Sequence, residues 1–215
     1  DAPGGAPGDA AAVLAFVERS PAAVARHDRA AWIALFAAAC VIEDPVGSRP
    51  HRAGDRGVIA RFYDTFIAPN VIVFHRGRDY GDGLQVQRDL SIEMRMAPRV
   101  TVRVPVCPVY ELCREAGGLR IRRLAAHWEL RPMLLQLLRC GLRGLPPALA
   151  LGLRMVRLQG LGGTLGFMRA WRSAGSTGKA AVIAALAREE PALLPVADAK
   201  VIAAGDHVTL RVSGA

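Results

Sequence analysis

Hydrophobic positions recur with two different periods along this chain of 215 residues. In the first third, apolar side chains recur every three or four positions, which is typical of one face of an α-helix. A short apolar run at 40–43 interrupts them and indicates a strand. The recurrences predict helices over residues 10–19, with a break or a kink at Ser20-Pro21, from His27-Asp28 to 36, and over 54–66.

From residue 71 the period shortens to about two, which is typical of half-buried strands. Within the second strand Arg88 shares a face with Val86 and Leu90, whereas Asp89 lies on the other face. Three helices followed by a meander predict an α+β fold: a curved antiparallel sheet with one face covered by the N-terminal helices. The predicted strands are 71–75, 84–96, 101–113 and 119–129, joined by glycine-containing turns.

The composition changes after residue 130. Residues 131–172 are rich in Leu, Gly and Arg and contain seven arginines and no acidic residue. They predict two amphipathic helices separated at Pro146-Pro147, and a further helix with a hairpin follows. We therefore divide the chain into a flexible leader 1–8, an α+β domain 9–130, a Leu/Arg-rich helical extension 131–172 and a small helix-plus-hairpin appendage 173–215.

The net charge of +9 raises the question of an anionic partner. Nucleic acid is disfavoured because the arginines of 131–172 lie among leucines without interleaved aromatic residues. Two interpretations stay open. The extension packs over the domain with its guanidinium groups in water, or it makes a peripheral contact with a membrane surface.

The four cysteines lie in apolar settings, with no C-x-x-C pair and no histidine at ligand spacing. Free thiols are therefore expected, and no metal site. The Gly/Pro/Ala-rich N-terminus lacks the features of a signal peptide, and the uncharged runs are too short to span a bilayer. These features predict a cytoplasmic protein.

The stretch CVIEDPVGSRPH, residues 40–51, ends an apolar run in Glu43 and Asp44 and turns at once through Pro45 and Gly47. A carboxylate beside buried residues is either an exposed strand end or a group held for chemistry. The stretch alone leaves both interpretations open.

Residues 27–47, followed by Arg61-Phe62-Tyr63, resemble the Δ5-3-ketosteroid isomerase branch of the nuclear transport factor 2-like (SnoaL-like) superfamily. The segment 123–128, RLAAHW, resembles the final strand of that family, so that the resemblance covers about 9–130. It implies a cone-shaped fold with a deep apolar pocket, in which Asp44 is the general base and neither metal nor cofactor is needed. A carboxylate in such a pocket is poorly solvated, which raises its basicity.

The hydrogen-bond donors of that family are missing here. The family's donor Tyr falls at Ser20, and its second donor, a protonated Asp, falls near Val109. The resemblance offers Tyr63 and His127 as the catalytic partners of Asp44, and Tyr110 is a third candidate donor, depending on the strand register. Each also has a packing interpretation, as a core aromatic, a strand histidine or a packing residue. Trp128, Tyr110, Phe62 and Arg88 are predicted to contact substrate.

The predicted function is isomerase-type proton transfer on a hydrophobic polycyclic substrate of the steroid, terpenoid or polyketide class, in an expected homodimer. One alternative is an epoxide hydrolase or cyclase of the same superfamily, for which Arg88, Asp89 and Glu129 are the available residues. The opposite orientations of Arg88 and Asp89 weaken the epoxide alternative. Another is a non-catalytic protein that binds hydrophobic ligands.

Overall fold

The computed structural model describes residues 7–52, 56–190 and 200–211. Most of the predicted leader, the start of the predicted third helix and the last residue of the predicted hairpin lie outside these ranges.

The N-terminal helices are α1 (Pro7–Ala25), α2 (Arg29–Ala34) and α3 (Arg56–Phe62), which continues into a π-helical turn over Tyr63–Ile67. Of the predicted break or kink at Ser20-Pro21, the break is wrong, because α1 runs through Pro21. Its apolar face continues past the proline from Val17 to Val24, both buried, so tertiary packing holds the helix together. Asp28 caps α2 by accepting a hydrogen bond from the Ala31 amide at 2.9 Å.

The main sheet has six strands: β1 (Phe36–Glu43), β2 (His51–Arg52), β3 (Val71–Asp82), β4 (Gln85–Ala97), β5 (Val100–Glu115) and β6 (Gly118–His127). Their order across the sheet is β2-β1-β6-β5-β4-β3. Strands β3 to β6 form the predicted antiparallel meander, but β1 pairs with β6 in parallel, so the sheet is mixed and not wholly antiparallel. The pattern of apolar residues along β1 indicates which side chains are buried, but it carries no information on the direction of a partner so distant in sequence.

The two larger apolar cores lie against this sheet. The first joins the N-terminal helices to the sheet around the buried side chains of Trp32, Ile42 and Phe62. The second joins β5 to the Leu/Arg-rich extension, which forms α4 (Leu130–Arg139) and α5 (Leu145–Met168). Pro146 and Pro147 lie in the first turn of α5, where a missing amide hydrogen breaks no helical bond. The extension is therefore packed on the α+β domain.

The C-terminal segment packs on the other face of the sheet. It contains α6 (Gly175–Glu189) and the hairpin of β7 (Lys200–Ala204) and β8 (His207–Arg211). Asp89 of β4 accepts hydrogen bonds from Lys200 at 2.5 Å and Arg211 at 2.9 Å. A Cβ on Gly47 would lie 2.5 Å from the Gly205 Cα, so the turn after β1 and the hairpin turn touch backbone to backbone.

Candidate active site

The two carboxylates at the end of β1 have different environments. Glu43 accepts a hydrogen bond from the Arg123 Nε at 2.9 Å, and Arg123 also bonds to Glu111 at 2.8 Å. Asp44 accepts a hydrogen bond on Oδ1 from the Trp128 indole Nε1 at 2.5 Å. Glu43 is thus part of a surface ion-pair network, and the adjacent Asp44 is directed to an apolar cavity.

The cavity has a volume of about 140 Å³ and lies between the sheet, the N-terminal helices and the extension. Asp44 is the one carboxylate among its described lining residues. Aromatic and aliphatic side chains supply most of the wall, with polar groups at few positions. Its lining includes Ser20, Trp32, Phe62, Phe66, Asn70, Ile92, Met94, Tyr110, Trp128, Met133, Leu151 and Phe167.

Burial raises the pKa of Asp44 from 3.8 to about 6, and the hydrogen bond from Trp128 acts in the opposite direction. The apolar wall disfavours the charged form more than the indole stabilises it. Among the described residues, no group donates a hydrogen bond to the second carboxylate oxygen, Oδ2. Asp44 therefore combines an oriented carboxylate, a free oxygen and a basicity close to neutral pH.

Tyr110 lies on the same cavity wall as Asp44 and is buried, at 6% exposure. Burial raises the pKa of its hydroxyl, and a hydrogen bond with Ser20 lowers it. Ser20 in turn accepts a hydrogen bond from the Trp32 indole at 3.2 Å. The register of β5 directs Pro108 and Tyr110 to the cavity and leaves Val109 on the opposite face, packed near Val46 and Ala125.

Tyr63, predicted as a catalytic partner of Asp44, is not part of this lining. Its ring is 1% exposed and packs on Trp32, with 5.5 Å between ring centroids. Its hydroxyl has no hydrogen-bond partner among the described residues. The π-helical turn buries this side chain in the core between α2 and α3, whereas the neighbouring Phe62 reaches the cavity.

His127 also lies away from Asp44. Successive residues of a strand point to opposite faces, and Trp128 occupies the cavity side. The His127 ring lies 6.0 Å from the ring of His207 in the C-terminal hairpin. Burial and the neighbouring His207 lower the pKa of His127 to about 4, so the imidazole is neutral at pH 7. The structure therefore does not bring His127 and Asp44 together.

Arg88, predicted to contact substrate, is 2% exposed and bonded elsewhere. Its guanidinium donates to Asp79 at 2.8 Å and to Glu18 at 2.8 Å. Asp89 points to the opposite face, as its position in the strand predicts, and Glu129 accepts from Lys179 at 2.6 Å. The structure therefore does not assemble Arg88, Asp89 and Glu129 into one site.

Several lining residues are missed by sequence reasoning. Asn70 lies at the junction between the π-helical turn and β3, is 5% exposed, and donates to the Phe66 carbonyl at 2.8 Å. Met133, Leu151 and Phe167 come from the extension. The amphipathic pattern of the extension shows that one face is buried, but it does not say against what.

The described part of the chain holds no cluster of His, Cys, Asp and Glu side chains with the proximity of a metal site. All four cysteines are free. No described helix is long and apolar enough to cross a membrane.

Solved structures share this architecture. A protein of Mycobacterium tuberculosis in complex with estradiol-17beta-hemisuccinate is 24% identical and aligns over 55% of this chain and 95% of its own, with a TM-score of 0.50. An LEH-like epoxide hydrolase of M. tuberculosis is 22% identical over 66% of this chain and 97% of its own, with a TM-score of 0.50. This chain has the cone fold of the nuclear transport factor 2-like superfamily.

A Δ5-3-ketosteroid isomerase from Mycobacterium sp. also aligns to the cone, at 27% identity over 56% of this chain and 95% of its own, with a TM-score of 0.49. No family model matches the chain, and no curated protein matches it. The two structures with a TM-score of 0.50 thus support the cone architecture and nothing finer.

Proposed function

We propose that this protein catalyses proton transfer at carbon in a hydrophobic cyclic ketone, with Asp44 as the general base. The observation that supports this best is the carboxylate of Asp44, the one acid among the described residues that line the apolar cavity, oriented by Trp128 and with its pKa raised to about 6. A base with a pKa just below the working pH is mostly deprotonated and still basic enough to remove a proton.

In this proposal Oδ2 of Asp44 takes a proton from the carbon beside the substrate carbonyl. The electron pair of that C–H bond passes into the carbonyl, which gives an enolate or dienolate. Asp44, now protonated, returns the proton to a different carbon. The double bond shifts, and the net reaction is an isomerisation without change of oxidation state, metal or redox cofactor.

The negative charge that develops on the carbonyl oxygen requires a donor. Tyr110 is our candidate, because it is the phenol on the cavity lining and burial keeps its hydroxyl protonated. Ser20, which stands where the related family has its donor Tyr, then supports Tyr110 through a hydrogen bond. We propose Tyr110 in this role in place of Tyr63 and His127, which lie away from the cavity.

The substrate class follows from the lining. Phe62, Phe66, Trp32 and Trp128 provide flat apolar surface, which suits a fused-ring skeleton. The complex of a same-fold protein with estradiol-17beta-hemisuccinate supports a steroid-like ligand. Terpenoid and polyketide skeletons offer the same kind of surface. A homodimer and a cytoplasmic location remain predictions.

The test is the conversion of a β,γ-unsaturated cyclic ketone, followed by the ultraviolet absorbance of the conjugated product. Asp44→Asn should lower turnover at least about a hundredfold, while the dissociation constant for a steroid-like ligand stays within about threefold. Unchanged turnover in Asp44→Asn would remove the base assignment. Tight binding with no turnover in the wild-type protein would favour the non-catalytic ligand-binding alternative.

A further inference from the structure

The outward side of the extension exposes an unusual amount of apolar surface. In α5 the most exposed leucines, Leu149, Leu153, Leu161 and Leu165, have 70–71% of their surface in solvent. In and after α4, Leu138 is 70% exposed and Leu142 is 84% exposed. Scattered exposed leucines are ordinary on a protein surface, but a contiguous group of this size marks a binding surface.

These side chains are arranged in stripes. Leu145, Leu149, Leu153 and Val156 recur every three or four residues of α5 before the kink at Gly160, and Leu161, Leu165 and Met168 form a second set with the same spacing after it. On the opposite side of the same helix, Met155 and Phe167 are buried. Residues spaced in this way share one side of a helix.

Helix α4 has an exposed apolar side of its own, with Leu135 and Leu138. Both helices pack their inner sides on one cluster, which contains Met133, Leu137, Met155 and Phe167. The outer sides of both helices are therefore directed away from that cluster. We call the outer sides of α4 and α5, with residues 140–144 between them, the leucine face.

The charge of the leucine face is of one sign. Arg139, Arg143 and Arg157 are exposed and adjoin the leucines in sequence, and residues 131–172 contain no acidic residue. Among the described residues, none of these three arginines forms an ion pair. Trp171, 43% exposed, lies at the end of this segment with the Arg131 guanidinium 5.3 Å from its ring centroid.

We propose that the leucine face binds the surface of an anionic lipid bilayer. Exposed leucines with flanking arginines fit an interface in which apolar side chains enter the acyl region and guanidinium groups contact phosphate headgroups. A second protein chain would explain the leucines, but it would need to supply acids for the arginines. Residues 131–172 contain no acidic residue, so the leucine faces of two copies could not supply acids for each other's arginines.

The leucine face lies on the same helices that line part of the cavity. Met133, Leu151 and Phe167 line the cavity from the inner sides of α4 and α5. The helices that line this side of the cavity are therefore the helices that carry the leucines. Docked on a bilayer, the protein would receive an apolar ligand from the membrane without its passage through water. This last step rests on the proposed function, whereas the binding itself does not.

The experiment is co-sedimentation of the full chain with vesicles of phosphatidylcholine alone or mixed with phosphatidylglycerol. The wild-type protein should pellet with the anionic vesicles, bind phosphatidylcholine much more weakly, and dissociate as salt is raised. The fluorescence of Trp171 should shift to shorter wavelength on binding, and Trp171→Phe should lose that shift.

Two sets of variants give the matched comparison. L149S/L153S/L161S and R139Q/R143Q/R157Q should each lower the bound fraction on the order of tenfold. The controls V71S/V73S/L84S and R26Q/R78Q/R95Q change exposed residues elsewhere and should bind like the wild-type protein. Circular dichroism confirms that each variant is folded.

Wild-type protein that leaves the anionic vesicles unbound overturns the proposal, as does equal loss of binding in the control variants. Sedimentation velocity distinguishes the alternative occupant. A dimer that becomes a monomer in L149S/L153S/L161S, with no vesicle binding by the wild type, assigns the leucine face to a second copy. Asp44 takes no part in the proposed lipid contact. Enone formation is therefore measured separately, and its failure leaves the lipid result unaffected.

Discussion

The indole Nε1 of Trp128 donates a hydrogen bond to Oδ1 of Asp44 at 2.5 Å, although 84 residues separate the two along the chain. The parallel pairing of β1 with β6 makes this possible, because it places Glu43 opposite Ala125 and brings the two strand ends to the same edge of the sheet. The bond fixes one oxygen of the carboxylate and stabilises its charged form.

Removal of the indole donor should therefore raise the pKa of Asp44 further. Trp128→Phe keeps an aromatic ring in the cavity but has no N–H group, so burial acts without opposition. The expected result is a pH midpoint for Asp44 above 6, read from the carboxyl carbon signal in an NMR titration. Trp171→Phe is the matched control, because Trp171 contacts Arg131 at the surface and should leave the midpoint unchanged.

The two buried tyrosines should respond differently to loss of the hydroxyl. Tyr110→Phe removes the proposed donor to the carbonyl oxygen and should lower kcat by about a hundredfold or more, with little change in ligand affinity. Tyr63→Phe removes a hydroxyl that has no hydrogen-bond partner among the described residues, so turnover and stability should stay near the wild-type values.

Steady-state kinetics and thermal unfolding of the two variants measure this difference. A larger loss of kcat in Tyr63→Phe than in Tyr110→Phe would restore the catalytic role that the sequence predicts for Tyr63.

Asp44 should make the folded protein less stable as the pH rises. Its pKa is about 6 in the folded state and 3.8 ordinarily, so between these values the folded state binds more protons than the unfolded chain. The free energy of unfolding therefore falls with pH across that window. Asp44→Asn removes the effect and should be the more stable protein at pH 7, by up to about 3 kcal/mol, but not at pH 4.

The effect of Asp44 is the difference in the free energy of unfolding between the wild-type protein and Asp44→Asn at each pH, because other groups also change the stability of the wild-type protein with pH. His51 and His127 have pKa values lowered to about 4 by burial, so their contribution to stability is lost as the pH falls from about 6.5. That change has the opposite sign to the effect of Asp44. Urea unfolding of both proteins at each pH cancels the histidines, and a pH-independent difference would contradict the raised pKa of Asp44.

Arg88 and Asp89 should act as structural residues on opposite faces of β4. Arg88→Ala leaves Asp79 and Glu18 without their buried partner and should lower the free energy of unfolding by about 3–5 kcal/mol. Asp89→Asn weakens the contacts with Lys200 and Arg211, so amide hydrogen exchange in β7 and β8 should accelerate.

Ligand affinity should survive Asp89→Asn, because Asp89 does not line the cavity beside Asp44. Loss of epoxide-opening activity in Asp89→Asn, with an intact hairpin, would instead favour the epoxide hydrolase alternative.

The meander and the helices follow from periodicity, because alternation in β4 and the apolar spacing around Trp32 each report a local backbone geometry. The parallel β1–β6 pair does not follow, because the residues of β1 carry no trace of the strand direction of a partner 80 residues away. The continuation of α1 through Pro21 also does not follow from the local sequence. Its local effect is real, but buried neighbours on both sides stabilise α1 through it.

The candidate site also contains some residues whose direction follows from the local backbone and others whose surroundings depend on distant parts of the chain. Asp44, Tyr110 and Trp128 line the cavity because strand parity and the turn after β1 determine their direction, and Phe62 lines it from α3. Tyr63 and His127 do not, because a π-helical turn and the C-terminal hairpin decide their surroundings. The extension contributes Met133 and Phe167 through tertiary contacts that no local pattern specifies.

We propose above all that the carboxylate of Asp44 moves a proton bound to carbon. Proton NMR in deuterated buffer measures this transfer directly, as deuterium uptake beside the carbonyl of an apolar cyclic ketone, with or without a shift of a double bond. We expect exchange that rises with pH through about 6 in the wild-type protein and falls at least about a hundredfold in Asp44→Asn. Equal exchange rates in the two proteins would contradict this role of Asp44.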